Sequence, residues 1–191
     1  MRLLANVFKT LERFCADRSA VSAVEFALIL PVLILMLLGS FDITRAVDAK
    51  NKSVLLSRTV TDLITQESDG VSKTELANII TASKFILYPY PDSTNVLTVN
   101  IENLVRVSET PLKYEIDWAY TSGTTPTSSS TNKQTTTLIE GESGVRTKVT
   151  YTYKMKFIGM LTKNIGLSEI TLNSTITMAP RWGMAVGAAG W

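Results

Sequence analysis

The sequence predicts an α+β protein: a long N-terminal membrane-spanning helix, then a small domain with an antiparallel sheet of about four strands. Three observations carry this. An uncharged apolar run follows a basic flank, a helical period continues to about residue 66, and from residue 95 the period changes to two. A chain of 191 residues has room for one domain plus an anchor, or at most two small domains.

Glu25 is the one charge between Ser19 and Phe41. As a helix that segment is about 34 Å long, against about 30 Å of bilayer hydrocarbon. The flank before it carries Arg2, Lys9, Arg13 and Arg18 against Glu12 and Asp17. This excess of Lys and Arg keeps the flank cytoplasmic, so the chain exits toward the periplasm or cell exterior. Gly39, Ser40, Phe41 and Asp42 make no clean small-x-small cleavage site, so the run reads as a retained anchor rather than an ordinary signal peptide. Pro31 is tolerated inside a membrane helix, where it should kink the axis, and Gly39 is a second soft point. Beyond Phe41 an intermittent apolar stripe continues through Ile43, Val47, Val54, Leu55, Val60, Leu63 and Ile64. One helix is therefore expected over about 17–66, its second half packed on the exported domain. The chain divides into a basic leader (1–20), a membrane span (21–41), an amphipathic continuation (42–66) and an α+β domain (67–191).

Within that domain, Ser72 and Glu75 form a capping-box signature before a helix over about 72–83, with Leu76, Ile79 and Ile80 on one face. Pro89 and Pro91 close a turn. From Asn95, Leu97, Val99, Ile101 and Asn103 alternate with Val96, Thr98, Asn100 and Glu102, a strand with one buried face. Leu112–Tyr120 is its partner, with Tyr114, Ile116, Trp118 and Tyr120 on one side. Residues 121–137 are polar and of low complexity, and read as a mobile loop. Two further strands are expected over Val145–Phe157 and Ile170–Ala179, with a short helix or turn over Ile158–Leu167 between them. The apolar tail from Trp182 to Trp191 is too short to span a bilayer, and reads as a docked or frayed terminus or a subunit-contacting tail.

Composition narrows the chemistry. There is no histidine, which removes the usual general base near neutral pH and the commonest transition-metal ligand. The single cysteine, Cys15, excludes an intramolecular disulfide and reads as an inert cytoplasmic thiol. Lys and Arg do not cluster and no stacking aromatics interleave with them, so no nucleic-acid surface is expected. No phosphate loop, dinucleotide loop, zinc motif or nucleophile elbow occurs. Ser72 with Lys73, and Ser128–Ser130 near Lys133, are chance Ser–Lys neighbours. Asp92-Ser93-Thr94-Asn95 lacks the spacing of a calcium loop. Asp42 and Asp62 read as solvated helix positions. The sequence thus predicts no catalytic, cofactor-binding or metal residues, no cofactor and no enzyme.

Glu25 calls for a physical account, because a carboxylate buried in lipid must be paired, neutralised or snorkelled to water. The small residues Ser19, Ala20, Val21, Ser22, Ala23 and Val24 before it suit close helix approach or access by a peptidase. The string Ala23-Val24-Glu25-Phe26-Ala27-Leu28, then Leu30-Pro31-Val32-Leu33, Leu37-Leu38-Gly39 and Asp42-Ile43-Thr44-Arg45-Ala46, resembles the TadE/TadG-like family. These are pseudopilins, or minor pilins, of tight-adherence (Flp-type) pilus systems. The resemblance continues through Asp62-Leu63-Ile64-Thr65-Gln66, Tyr88-Pro89-Tyr90, the strand ending at Trp118, Tyr151-Thr152-Tyr153 and Pro180-Arg181.

That resemblance implies a pilin-like layout in which prepilin peptidase removes the leader on the cytoplasmic face, leaving the Glu as fifth residue of the mature chain. The cut would fall between Ala20 and Val21. The family usually has Gly where this chain has Ala20. The new amine and Glu25 would form a charge-assisted pair, within a subunit or between neighbours. Glu25, Phe26 and Pro31 would shape helix pairing in assembly. The implied partners are the membrane, other pilins and pseudopilins, the peptidase and the pilus assembly platform. The implied location is the inner membrane, single-pass, N-terminus cytoplasmic and C-terminal domain periplasmic, with incorporation into a surface pilus. The implied role is assembly, at initiation or at the tip, of a tight-adherence type IV pilus for surface attachment. A different class of reading is a permanently anchored periplasmic binding or scaffold protein that never enters a filament.

Overall fold

The structure is a computed structural model that describes residues 18–68, 70–93, 95–109, 112–122, 143–162, 168–182 and 186–189. Most of the leader with Cys15, most of the 121–137 loop with the Ser128–Lys133 stretch, and parts of the apolar tail lie outside the described residues. Two units are formed, one ending at Thr44 and one beginning at Arg45. A single helix, α1 (Arg18–Thr65, 48 residues), contributes to both and is continuous through Pro31.

After α1 come β1 (Val71–Ser72), α2 (Lys73–Ser83), a 3₁₀ turn (Lys84–Leu87), β2 (Leu97–Glu109), β3 (Leu112–Thr121) and β4 (Ser143–Lys154). They are followed by α3 (Phe157–Thr162), β5 (Glu169–Met178) and β6 (Ala188–Ala189). The expected antiparallel sheet is present as four strands in the order β3-β2-β4-β5. Phe157, expected as the end of a strand, instead opens α3.

The capping box forms as its residues dictate. The Glu75 amide donates to the Ser72 hydroxyl at 3.3 Å, and the Ser72 amide donates to the Glu75 carboxylate at 2.8 Å. Two donors otherwise left over at a helix start are satisfied. The Ser72 amide, seconded by its hydroxyl, holds the Glu75 carboxyl below the usual range.

In the second unit, Leu56, Val60 and Ile64 of α1 join Leu76 and Ile80 of α2 and Leu97, Val99 and Ile101 of β2 in the main core. Trp118, Val149 and Tyr151 complete its sheet side. The expected apolar stripe is only partly the buried one. Val60 and Ile64 are buried, whereas Val47, Leu55 and Leu63 are exposed. In their place α1 buries Ala49, Ser53, Ser57, Thr61 and Thr65. The hydroxyls return to their own helix: Ser53 donates to the Ala49 carbonyl at 2.8 Å and Thr61 to that of Ser57 at 2.6 Å. A hydroxyl satisfied in this way can be buried with little penalty. Ser57 and Ser174 share a 2.8 Å hydrogen bond, which ties α1 to β5.

Strand β3 departs from its predicted face. Register runs from Asn103 opposite Trp118 to Leu104 opposite Ile116, so Asp117 is an extra residue. A bulge of this kind breaks the two-residue alternation. Trp118 and Tyr120 enter the main core, but Tyr114 and Ile116 pack with Leu104 in a second cluster. Ala119, the neighbour of Trp118 along the strand, packs on that second cluster, which therefore lies across the sheet from Trp118.

The tail is docked. β6 pairs in parallel with β1, Val71 opposite Ala188. Val186 is buried, and its carbonyl accepts from the Trp118 indole at 2.7 Å and the Asn103 side-chain Nδ2 at 3.1 Å. Gly70 has φ +90, and a Cβ there would meet the Gly187 carbonyl oxygen at 2.6 Å, so both conformation and close approach demand glycine. Just upstream, the Arg181 amide donates to the Thr65 carbonyl at 3.1 Å and the Trp182 indole to the Gln66 carbonyl at 3.0 Å. These bonds satisfy acceptors that the end of α1 leaves over.

Candidate functional site

The region that carries the sequence-predicted residues is the first stretch of α1. Every residue from Val21 to Leu37 is exposed, Glu25, Phe26 and Pro31 among them. Val21 is 52% exposed, Phe26 59% and Leu28 73%. Ala20 lies in the helix. A contiguous apolar surface of this extent marks a site of contact with a membrane or with another protein. The helix is long and apolar enough to cross a membrane, and none of its most apolar stretch is buried against the rest of the chain.

Helical geometry sets what Glu25 can reach. Residues 21 and 25 are one turn apart on the same face, about 6 Å along the axis. Side chains of a helix lean toward its N-terminus, so the Glu25 carboxylate leans toward residue 21 rather than away from it. Lower in the same stretch, Ser40 donates its hydroxyl to the Leu37 carbonyl and Thr44 to that of Ser40, each at 2.8 Å. Asp42, read from sequence as solvated, is fully buried.

From Arg45 onward α1 has two unlike faces. The inward one is the small hydroxyl face of Ser53, Ser57, Thr61 and Thr65. The outward one retains Val47, 55% exposed, and Leu55, 53% exposed, with Leu63 below them. Asp62 is half-exposed and pairs with Arg181 at 2.6 Å, so it is an ion-pair member and not merely a solvated position. Sequence reasoning named these apolar residues but assigned them to the packed face, and it missed the hydroxyl residues that are buried instead. The signal that could have found them was their spacing, since positions 53, 57, 61 and 65 recur every fourth residue on one face of a helix.

Residues 20–53 match the family model of TadE-like protein. The similarity falls within α1. No curated protein and no solved structure matches the chain. The matched segment takes in Val21, Glu25, Phe26 and Pro31, with Ala20 at its first position, and ends at the buried Ser53. The later strings that shaped the resemblance, from Asp62 to Pro180-Arg181, lie beyond it. Among the described residues no group of three or more His, Cys, Asp or Glu side chains is placed to hold a metal ion.

Proposed function

We propose that this chain is a pseudopilin, or minor pilin, taking part in initiation or tip assembly of a tight-adherence type IV pilus for surface attachment. One observation carries the reading: the TadE-like match over residues 20–53 takes in the stretch from Val21 to Leu37, which is predominantly apolar and exposed at every position. TadE-like proteins belong to pilus systems, and the role is structural rather than catalytic. The basic flank supports a cytoplasmic N-terminus and a periplasmic domain, in the inner membrane. Prepilin peptidase then cuts between Ala20 and Val21. The freed amine sits one turn before Glu25, whose lean toward the N-terminus favours a pair within the subunit, and a pair with a neighbour uses the same chemistry. Either pair neutralises two charges that lipid would penalise. Phe26 and Pro31 shape the packing of this helix on other pilins, pseudopilins and the assembly platform. Beyond the span, Val47, Leu55 and Leu63 extend an apolar outer face toward the same partners.

The test is to shear surface filaments from cells producing the chain or its Glu25→Ala variant. The chain is expected in the sheared fraction, and its recovery there should fall at least about tenfold in the variant. If the unaltered chain stays wholly with the membrane, it is a permanently anchored scaffold and the proposal fails. Intact-mass measurement on membrane-extracted protein tests processing separately, with Val21 as the expected N-terminus.

A further inference from the structure

Beyond the assembly helix, the second unit carries an open pocket of about 360 Å³, lined by Thr81, Lys84, Phe85, Tyr88, Tyr90 and Asp92. Two of its rings are held out in solvent, Phe85 at 81% exposure and Tyr88 at 79%. Folding gains little from side chains so placed, whereas an occupant that covered them would recover their apolar area.

The wall behind these rings is fixed. Tyr90 donates its hydroxyl to the Asp48 carboxylate at 2.8 Å and lies 3.1 Å from the Arg45 carbonyl. Its ring meets Tyr153 edge-on, centroids 6.0 Å apart and planes at 77°. The Lys52 ammonium sits 5.6 Å from the Tyr90 centroid and donates to the Tyr88 carbonyl. Leu87 and Ile80 are buried close by in sequence. The segment from Tyr88 to Tyr90 is thus held at its backbone and at its second ring, so little ordering remains for a ligand to impose.

The chemistry of the lining selects the occupant. Lys84 supplies donors and Asp92 acceptors. Thr81 already donates to the Ala77 carbonyl at 2.7 Å, so its oxygen is left to accept. One positive and one negative charge cancel, which gives no preference for an anion. Exposed aromatic faces beside a rim of paired donor and acceptor groups fit a molecule with a flat C–H face and a hydroxyl edge. We propose that this pocket binds a neutral sugar ring, stacked on Phe85 or Tyr88 and hydrogen-bonded by Asp92 and Lys84. A purely apolar protein partner would have no use for that charged rim. The inference is independent of entry into a filament.

The experiment is saturation-transfer NMR on the full chain in a zwitterionic, sugar-free detergent, with methyl glucoside, methyl galactoside and methyl mannoside as probes. Transfer to the ring C–H protons of at least one probe is expected. It should weaken about tenfold in Tyr88→Ala or Phe85→Ala, and about as much in Asp92→Asn, while Tyr88→Phe keeps it. The substituted rings are exposed, and an unchanged thermal transition confirms that each variant is folded. No transfer to any of the three probes, or equal transfer to the Phe85→Ala/Tyr88→Ala double variant, overturns the proposal. So does a loss of self-association in that variant without any sugar signal, because the rings would then serve a contact between copies of the chain.

Discussion

The two stretches of α1 are built on opposite plans. From Val21 to Leu37 large apolar side chains point outward on every side and nothing is buried. From Arg45 to Thr65 the inward face is largely small and hydroxylated, and several of the largest apolar residues look away from the sheet. The lesson is that hydrophobicity does not by itself say which way a helix faces. In the second stretch, shape decides: serine and threonine bond their own backbone, leave no donor unmet, and let the sheet come close.

The sharpest way to break this contrast uses two adjacent leucines. Leu56 is fully buried and Leu55 is 53% exposed. Leu56→Ala should cost about 2–5 kcal/mol of unfolding free energy, measured by near-UV circular dichroism on the detergent-solubilised chain. Leu55→Ala should stay within about 0.5 kcal/mol, as should Leu33→Ala in the first stretch. Equal losses at 55 and 56 would mean that the two faces are wrongly assigned.

Next in size is a test of the small face. Ser57→Leu adds volume where the hydroxyl meets Ser174 at 2.8 Å. Overpacking should cost about 1–3 kcal/mol in the same assay. A stabilised variant would show that space, not shape, sets this face.

A third test is alkaline. Burial, reinforced by the hydrogen bond to Asp48, pushes the Tyr90 phenol up to about 12, and burial does the same for Tyr151. The folded state therefore holds these protons more tightly than the unfolded chain, where a phenol titrates near 10. Their contribution is fully present below pH 10 and lost as pH rises from 10 toward 12. Tyrosinate absorbance should show the Tyr90 and Tyr151 phenols titrating late, and Tyr90→Phe should reduce the late-titrating amplitude by one phenol. A Tyr90 that titrates near 10 would detach this ring from the second stretch of α1.

The smallest effect belongs to the exposed pair of Asp62 and Arg181, 2.6 Å apart. Asp62→Ala should cost no more than about 0.5 kcal/mol and its effect should vanish in high salt. A larger, salt-insensitive loss would make this pair a structural clamp on the end of α1.

Much of this fold was legible because local physics and global packing agree along most of the chain. The Ser72–Glu75 box caps α2, and the period-two runs over Leu97–Asn103 and from Val145 became strands of the sheet. What was not legible depends on partners far away in sequence. Nothing local marks Asp117 as the extra residue of a bulge, so Tyr114 and Ile116 were assigned to the face of Trp118. The stripe read from sequence counted apolar residues alone and so passed over Ser53, Ser57 and Thr61, whose donors are met by the helix carbonyls. Asp42 misled for a similar reason: a charge was equated with water. In the candidate site, the match over residues 20–53 supports the resemblance read from Ala23 to Ala46, while the roles of Ala20, Val21, Glu25, Phe26 and Pro31 rest on the proposal above.

The bonds at the end of α1 also impose an order in time. The Gln66 carbonyl receives its indole donor from a residue 116 positions later, and the side chain of Asp62 meets its guanidinium 119 positions later. A ribosome adds about 5–20 residues per second, so this helix end stays open for several seconds while the sheet is being made. The last turn of α1 is thus among the first parts of the domain to be synthesised and among the last to be sealed.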